Sequence, residues 1–163
     1  MAIKRMNHAV LYVRDADRTY EFYRDVLGFR IVTQMPGAKF LQAPDSENDH
    51  DLGIFSIGEG AGPSTAGQST VGLYHIAWEV ATLGDLRVIE QRLREAGALV
   101  GATDHSTTKA LYGKDPDGLE FEVCWIVPKA LQTPEIEEER ARMRPLDIDA
   151  EIERFGLQTV GGV

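Results

Sequence analysis

Apolar and polar residues alternate strictly over residues 119–123, LEFEV. Successive side chains of a strand point to opposite faces, so this pattern predicts a strand with its apolar side chains on one face and Glu120 and Glu122 on the other. The preceding residues 115–118, DPDG, are typical of a tight turn. A carboxylate on the inner face of a curved sheet needs a cation or a proton as partner, because burying an isolated charge is costly. Glu122 is therefore a candidate functional residue.

The order of elements predicted in the first half of the chain is repeated in the second half. Apolar runs predict strands at 3–13, 29–34, 40–43 and 52–57, and then again from 73–80 onward to the strand that carries Glu122. Each first strand is followed by an amphipathic helical pattern that ends at a glycine, Gly28 or Gly97. His8 precedes Gly28 by 20 positions and His75 precedes Gly97 by 22 positions. The two histidines therefore occupy matching places in a repeat.

This repeat predicts an α+β fold. Each half reads β-α-β-β-β, and a half of this size would leave one sheet face uncovered. We expect two paired βαβββ modules that form a cupped, eight-stranded mixed sheet around a cavity. A single domain is predicted over residues 1–127, made of module one (1–58), a Gly/Ser/Thr-rich linker (59–70) and module two (71–127). Residues 128–163 are predicted to form a C-terminal arm, helical at first and then disordered.

Composition excludes several classes of partner. The chain has 163 residues and a net charge of -9, which argues against nucleic acid or an anionic membrane as partner. We find no apolar run long enough to span a bilayer and no signal-peptide pattern at the start, so a cytoplasmic location is expected. The single cysteine, Cys124, lies in an apolar strand and is predicted to be a packed, inert thiol. A homodimer is expected.

Local motifs over residues 3–126 resemble the vicinal oxygen chelate superfamily. They are NHAV at 7–10, LGF at 27–29 and KDPDG at 114–118 followed by Glu122. This superfamily includes glyoxalases, extradiol dioxygenases and bleomycin-resistance proteins. The resemblance implies the paired-module fold and leaves the reaction open, because one scaffold can host several chemistries.

The histidines and Glu122 predict a metal site. A lone strand histidine is more often a structural residue than a ligand, but His8, His75 and Glu122 coincide in two matching strands and the last strand. Two imidazoles and one carboxylate suit non-haem Fe(II), with Mn(II) as an alternative, and leave positions open for a substrate and O2. Glyoxalase-type members add an acid from the first module, whereas the matching residues near 54–55 contain none.

The resemblance also implies catalytic roles for His50, His105 and Tyr112, as the residues that handle protons and contact the substrate. Each of them taken singly is as readily a loop or strand residue without a catalytic role. The predicted function is a metal-dependent extradiol dioxygenase that cleaves a catechol-type aromatic diol, with the C-terminal arm or a second subunit closing its cavity.

Two other functions stay open at this point. One is a metal-dependent glyoxalase, isomerase or epimerase on the same fold, which the missing acid disfavours. The other is a non-enzymatic binding protein similar to the bleomycin-resistance members, which a complete set of metal ligands disfavours. Four aromatic residues could line a binding cavity, although strand aromatics usually form core: Phe40, Trp78, Phe121 and Trp125.

Overall fold

The strands of the two modules are hydrogen-bonded in two separate sheets. The structure is a computed structural model that describes residues 2–67 and 69–162. Met1, Gln68 of the predicted linker and Val163 of the predicted arm lie outside the described residues. Contacts divide the chain into two compact units, residues 1–64 with 115–118 and residues 65–114 with 119–163. The domain boundaries drawn from the sequence stay a prediction.

The first unit contains a four-stranded sheet and one helix. Its elements are β1 (Ala9–Val13), α1 (Ala16–Leu27), β2 (Arg30–Met35), β3 (Ala38–Gln42) and β4 (Leu52–Ser56). The strand order is β1-β4-β3-β2, with β1 parallel to β4. Asp15 begins α1 by accepting hydrogen bonds from the backbone N–H groups of Asp17 and Arg18. Gly28 ends the helix in the left-handed region at φ 79°.

The second unit repeats this order. Its elements are β5 (His75–Glu79), α2 (Leu83–Glu95), β6 (Leu99–Asp104), β7 (Thr108–Lys114) and β8 (Glu120–Ile126). A capping box of Thr82 and Asp85 begins α2, since each side chain accepts a hydrogen bond from the other residue's backbone N–H. The strand order is β5-β8-β7-β6, with β5 parallel to β8.

The predicted α+β class and the duplicated βαβββ order are confirmed. The eight module strands divide into one sheet per module, and the two-residue β9 (Arg144–Pro145) adds a fifth strand beside β6. The first strand is shorter than predicted, because β1 begins at Ala9, where its pairing with Leu52 at the start of β4 begins. His8 therefore directly precedes the strand. No helix among the described residues has both the length and the apolar character needed to cross a membrane.

The predicted arm packs on the second unit. It contains two short helices, α3 (Pro134–Glu138) and α4 (Ile148–Phe155). The glycine-rich end, expected to be disordered, is held by hydrogen bonds instead. The Gly161 N–H donates to the Ala81 carbonyl at 2.8 Å and the Trp125 indole N–H donates to the Thr159 carbonyl at 3.2 Å. A Cβ at position 161 would lie 2.4 Å from the indole nitrogen, so only glycine fits.

A buried lysine also fastens this arm. The Lys109 side chain on β7 is fully buried, and its Nζ donates to Asp104 at 2.5 Å and pairs with Glu151 of α4 at 2.9 Å. Because a buried cation requires compensating charge, both carboxylates are needed for this packing.

Candidate metal and substrate site

Strand pairing brings His75 and Glu122 to one face of the second sheet. His75 begins β5, and Ala77, two residues further on the same face, pairs with Glu122 of the parallel β8. Nε2 of His75 lies 3.1 Å from Oε2 of Glu122. The two side chains are 24% and 12% exposed, so ligands can reach a pair that is largely shielded from water.

Tyr112 extends this group on the neighbouring strand. It pairs with Glu122 across the antiparallel β7 and β8, and therefore shares the face of that carboxylate. The ring centroids of Tyr112 and His75 are 5.8 Å apart. Burial and then the charge of Glu122 raise the pKa of Tyr112 to about 12. The hydroxyl is consequently protonated and can donate a hydrogen bond at physiological pH.

His105 joins the group from the turn after β6. Its Nε2 and the Tyr112 hydroxyl share a hydrogen bond of 2.9 Å, in which the histidine tautomer decides the donor. The following Ser106 adopts a positive φ of 66°, and its backbone N–H donates to Asp104. This turn directs the His105 ring back towards Tyr112 on β7.

A cavity of about 650 Å³ lies beside these side chains. The second sheet and its β6–β7 turn contribute Tyr112, Glu122 and His105 to its lining, and the C-terminal arm contributes Lys129, Gln132 and Arg140. The volume is in the usual range for small-molecule sites, roughly 300–1,000 Å³. The arm thus forms one wall of the cavity that contains the candidate acid.

The first unit holds the other two histidines next to one another. The rings of His8 and His50 lie 4.3 Å apart, and Phe40 contacts His50 edge-on at 5.1 Å. Nδ1 of His50 is 2.8 Å from a carboxylate oxygen of Asp49. Its Nε2 is buried and has no hydrogen-bond partner among the described residues.

The described residues of the first unit offer no counterpart of Glu122. In the parallel pair of β1 and β4, Val10 lies opposite Gly53, and β4 itself contains no acidic residue. Asp51, which precedes β4, is already used in the structure. Its carboxylate accepts hydrogen bonds from the Ala43 N–H, the Ser46 hydroxyl and the Asn48 side-chain amide. The acid nearest to the strand therefore holds a loop together.

Two of the three predicted metal ligands, His75 and Glu122, meet in the second unit, whereas His8 lies in the first unit beside His50. Within residues 2–67 and 69–162 there is no group of three His, Cys, Asp or Glu side chains arranged to hold a metal ion. The three-ligand site therefore stays a prediction.

The chemistry of the His75–Glu122 pair fits a bound cation. An imidazole nitrogen and a carboxylate oxygen are both electron-pair donors, and at 3.1 Å they need a cation or a proton between them. The other ring nitrogen of His75, Nδ1, is buried and has no hydrogen-bond partner in the described part of the chain. Metal-bound histidines usually donate a hydrogen bond through their second ring nitrogen. His75 could therefore bind a metal through Nε2, but the hydrogen bond that would orient its ring from Nδ1 is missing among the described residues.

Nothing in the local sequence pattern singles out Lys129, Gln132 and Arg140, the arm residues that line the cavity. Residues 135–142, EIEEERAR, have the composition of a solvated helix, and neither motif nor periodicity distinguishes Arg140 from its neighbours. Arg140 reaches the cavity wall only because the arm folds onto the second unit.

The predicted core roles are confirmed for Phe121 and Trp125, which are 1% and 0% exposed. Cys124 is buried as well, and burial followed by the charge of Glu122 raises the pKa of its thiol to about 12. An uncharged thiol is a poor nucleophile, in keeping with the predicted inert cysteine.

Comparison with known proteins identifies one family. The model of the Glyoxalase/Bleomycin resistance protein/Dioxygenase superfamily matches residues 5–123. Among curated proteins, the chain is 35% identical over 115 residues to biphenyl-2,3-diol 1,2-dioxygenase 3 of Rhodococcus globerulus, covering 70% of this chain and 59% of that protein. It is 31% identical over 116 residues to catechol-2,3-dioxygenase of Bacillus subtilis (strain 168), covering 69% and 38%. The chain thus matches less than two thirds of the length of either relative.

Solved structures support the fold. A glyoxylase/bleomycin resistance protein/dioxygenase domain from Frankia sp. EAN1pec superposes with a TM-score of 0.61 at 22% identity, covering 76% of this chain and 92% of that one. At this identity the likeness concerns the fold alone.

Proposed function

This chain belongs to the Glyoxalase/Bleomycin resistance protein/Dioxygenase superfamily, and within it we propose an extradiol-type ring-cleaving dioxygenase that acts on a catechol-type aromatic diol. The proposal is supported by relatives named as dioxygenases of biphenyl-2,3-diol and of catechol, at 35% and 31% identity. The observation that carries it is the convergence of His75 and Glu122, 3.1 Å apart, beside the bonded pair of His105 and Tyr112.

His75 and Glu122 are the residues that would hold the metal, Fe(II) or Mn(II), with His8 proposed as the third ligand. When bound, such an ion supplies positive charge that lowers the pKa of the diol hydroxyls, together with open positions for the diol and O2. The absence of an acid on β4 keeps the proposed protein ligands to three.

The remaining polar residues would handle protons and orient the diol. Tyr112, with its raised pKa, donates a hydrogen bond to a diol oxygen, and His105 orients that hydroxyl through their shared hydrogen bond. His50 has an unpartnered Nε2 and a carboxylate at Nδ1, so it can take a proton from the diol and return it to the product. The arm wall reduces access of water to the cavity.

Oxygen consumption provides the direct test. Protein loaded with Fe(II) under anaerobic conditions is mixed with a panel of catechols, while O2 uptake and the absorbance of the ring-opened product are followed. We expect Glu122→Gln to lose activity by more than about a hundredfold, together with stoichiometric metal binding. Glu95→Gln is the matched control, because Glu95 lies exposed at the end of α2, where it accepts a hydrogen bond from Gln91.

The same experiment separates the alternatives. Stoichiometric metal binding without oxygen uptake on any catechol would contradict the proposal and favour the isomerase-type reading. If the wild type cannot be loaded with a metal, the non-enzymatic binding function becomes the better account.

A further inference from the structure

The arm gives the cavity a cationic wall. Lys129 and Arg140 line the cavity, and among the described lining residues Glu122 is the one acid, in a chain whose net charge is -9. A local surplus of positive charge in an acidic protein attracts an anionic group and orients it on approach. The lining therefore combines one acid and one histidine, Glu122 and His105, with two cations of the arm.

Arg140 is the cation left available for a ligand. Lys129 pairs with Glu137 at 2.5 Å, and both Arg142 and Arg144 pair with Glu139. Arg140 makes no ion pair among the described residues. Its charge lowers the pKa of the nearby Glu137 less than the hydrogen bond and charge of Lys129 do. Three of the four cations between 129 and 144 are thus engaged by arm carboxylates, and the fourth faces the cavity.

The neighbouring amide does not compete for this role. The Gln132 side-chain N–H donates to the Val127 carbonyl at 2.7 Å, and its oxygen, an acceptor that would repel an anion, is buried without a hydrogen-bond partner among the described residues. An anion in the cavity is consequently bound by the cations. The planar guanidinium of arginine matches a carboxylate through two parallel hydrogen bonds, which lysine cannot provide.

The size of the cavity agrees with a substituted ring. A closed space of roughly 150 Å³ is sufficient for benzene, whereas this open cavity measures about 650 Å³. An aromatic diol positioned at His75 and Glu122 would leave space between its ring and the arm.

We propose that the substrate is an aromatic diol that carries a carboxylate substituent, with the diol at His75 and Glu122 and the carboxylate at Arg140. This inference rests on the proposed function and specifies its substrate class. Arg140 is then a specificity-determining residue, and it acts on binding of the substituent and takes no part in the ring cleavage.

Steady-state kinetics with a matched pair of variants test the inference. kcat/KM is measured for catechol and for dihydroxyphenyl carboxylates with none, one or two methylene groups between ring and carboxylate. We expect wild type to favour at least one carboxylated diol over catechol by about tenfold or more, and Arg140→Gln to remove that preference while catechol turnover stays within about twofold. Arg142→Gln, an equal loss of charge at a residue paired with Glu139, should leave the preference intact.

A binding measurement separates this inference from the proposed function. Calorimetry with a monohydroxyphenyl carboxylate and its uncharged methyl ester needs no turnover. Weaker binding of the acid, and unchanged binding of the ester, in Arg140→Gln supports the anion site even if no diol consumes oxygen. Equal binding of acid and ester by wild type, or equal kcat/KM for catechol and every carboxylated diol, overturns it and leaves the proposed function standing.

Discussion

The two units share a βαβββ order but differ in where they place their polar side chains. In the second unit, parallel pairing of β5 and β8 brings His75 and Glu122 within 3.1 Å. In the first unit, the same pairing of β1 and β4 presents Gly53 at the corresponding place, and Asp51 holds a loop. A duplicated fold thus repeats its backbone while concentrating its acidic chemistry in one copy.

Lysines on matching strands show the same asymmetry. Lys39 and Lys109 are each the second residue of the third strand of their module. Lys39 is partly exposed and pairs with Asp17, whose side chain is 83% exposed. Lys109 is fully buried between Asp104 and Glu151. The Lys39 side chain is 11% exposed, so the position is largely buried in both units, and the arm completes the burial of Lys109 and adds a second carboxylate beside it.

The largest expected effect is on stability, when each of the two lysines is replaced in turn. Lys109→Met leaves two carboxylates without their cation, and we expect it to lower the free energy of unfolding by about 3 kcal/mol or more. Lys39→Met, the matched change in the first unit, should cost less than about 1 kcal/mol, because its partner is exposed to water. Urea denaturation of both variants measures the difference. Equal losses would show that the two positions are energetically alike.

The next largest effect is on kcat, when one histidine of each unit is replaced. His50→Gln should lower kcat by about a hundredfold without changing metal stoichiometry, because the unpartnered Nε2 of His50 is the proposed proton carrier. His105→Gln should cost about tenfold, since His105 acts by orienting Tyr112. Steady-state kinetics on the same diol decide the order. A reversed order would assign the proton transfer to the second unit.

The smallest effect concerns pH. Burial by itself raises the pKa of Asp104. The hydrogen bond and the charge of Lys109 together outweigh this effect, so the pKa of Asp104 in the folded protein lies below its usual value. Since the unfolded chain binds the proton more tightly, Asp104 stabilises the fold above about pH 4 and loses that contribution as the pH falls through its lowered pKa. Asp104→Asn should flatten the acid side of the stability curve below about pH 4. Parallel curves for the variant and wild type would contradict this origin.

Sequence pattern determined the fold class and the place of each histidine in the repeat. Alternation, helix caps and glycines act through neighbouring residues, so Asp15, Gly28 and the LEFEV strand could be read locally. The start of β1 was predicted too early, because the end of a strand depends on its partner β4 and not on local apolarity alone.

Only the tertiary structure decided the cavity wall. Arg140, Lys129 and Gln132 belong to a charged arm whose sequence resembles a solvated helix, and their position follows from contacts with residues far away in the chain. The burial of Lys109 likewise depends on Glu151, 42 positions later in the sequence. Local patterns reflect the geometry of neighbouring residues, whereas burial, charge pairing and the shape of a cavity depend on which distant segments pack together.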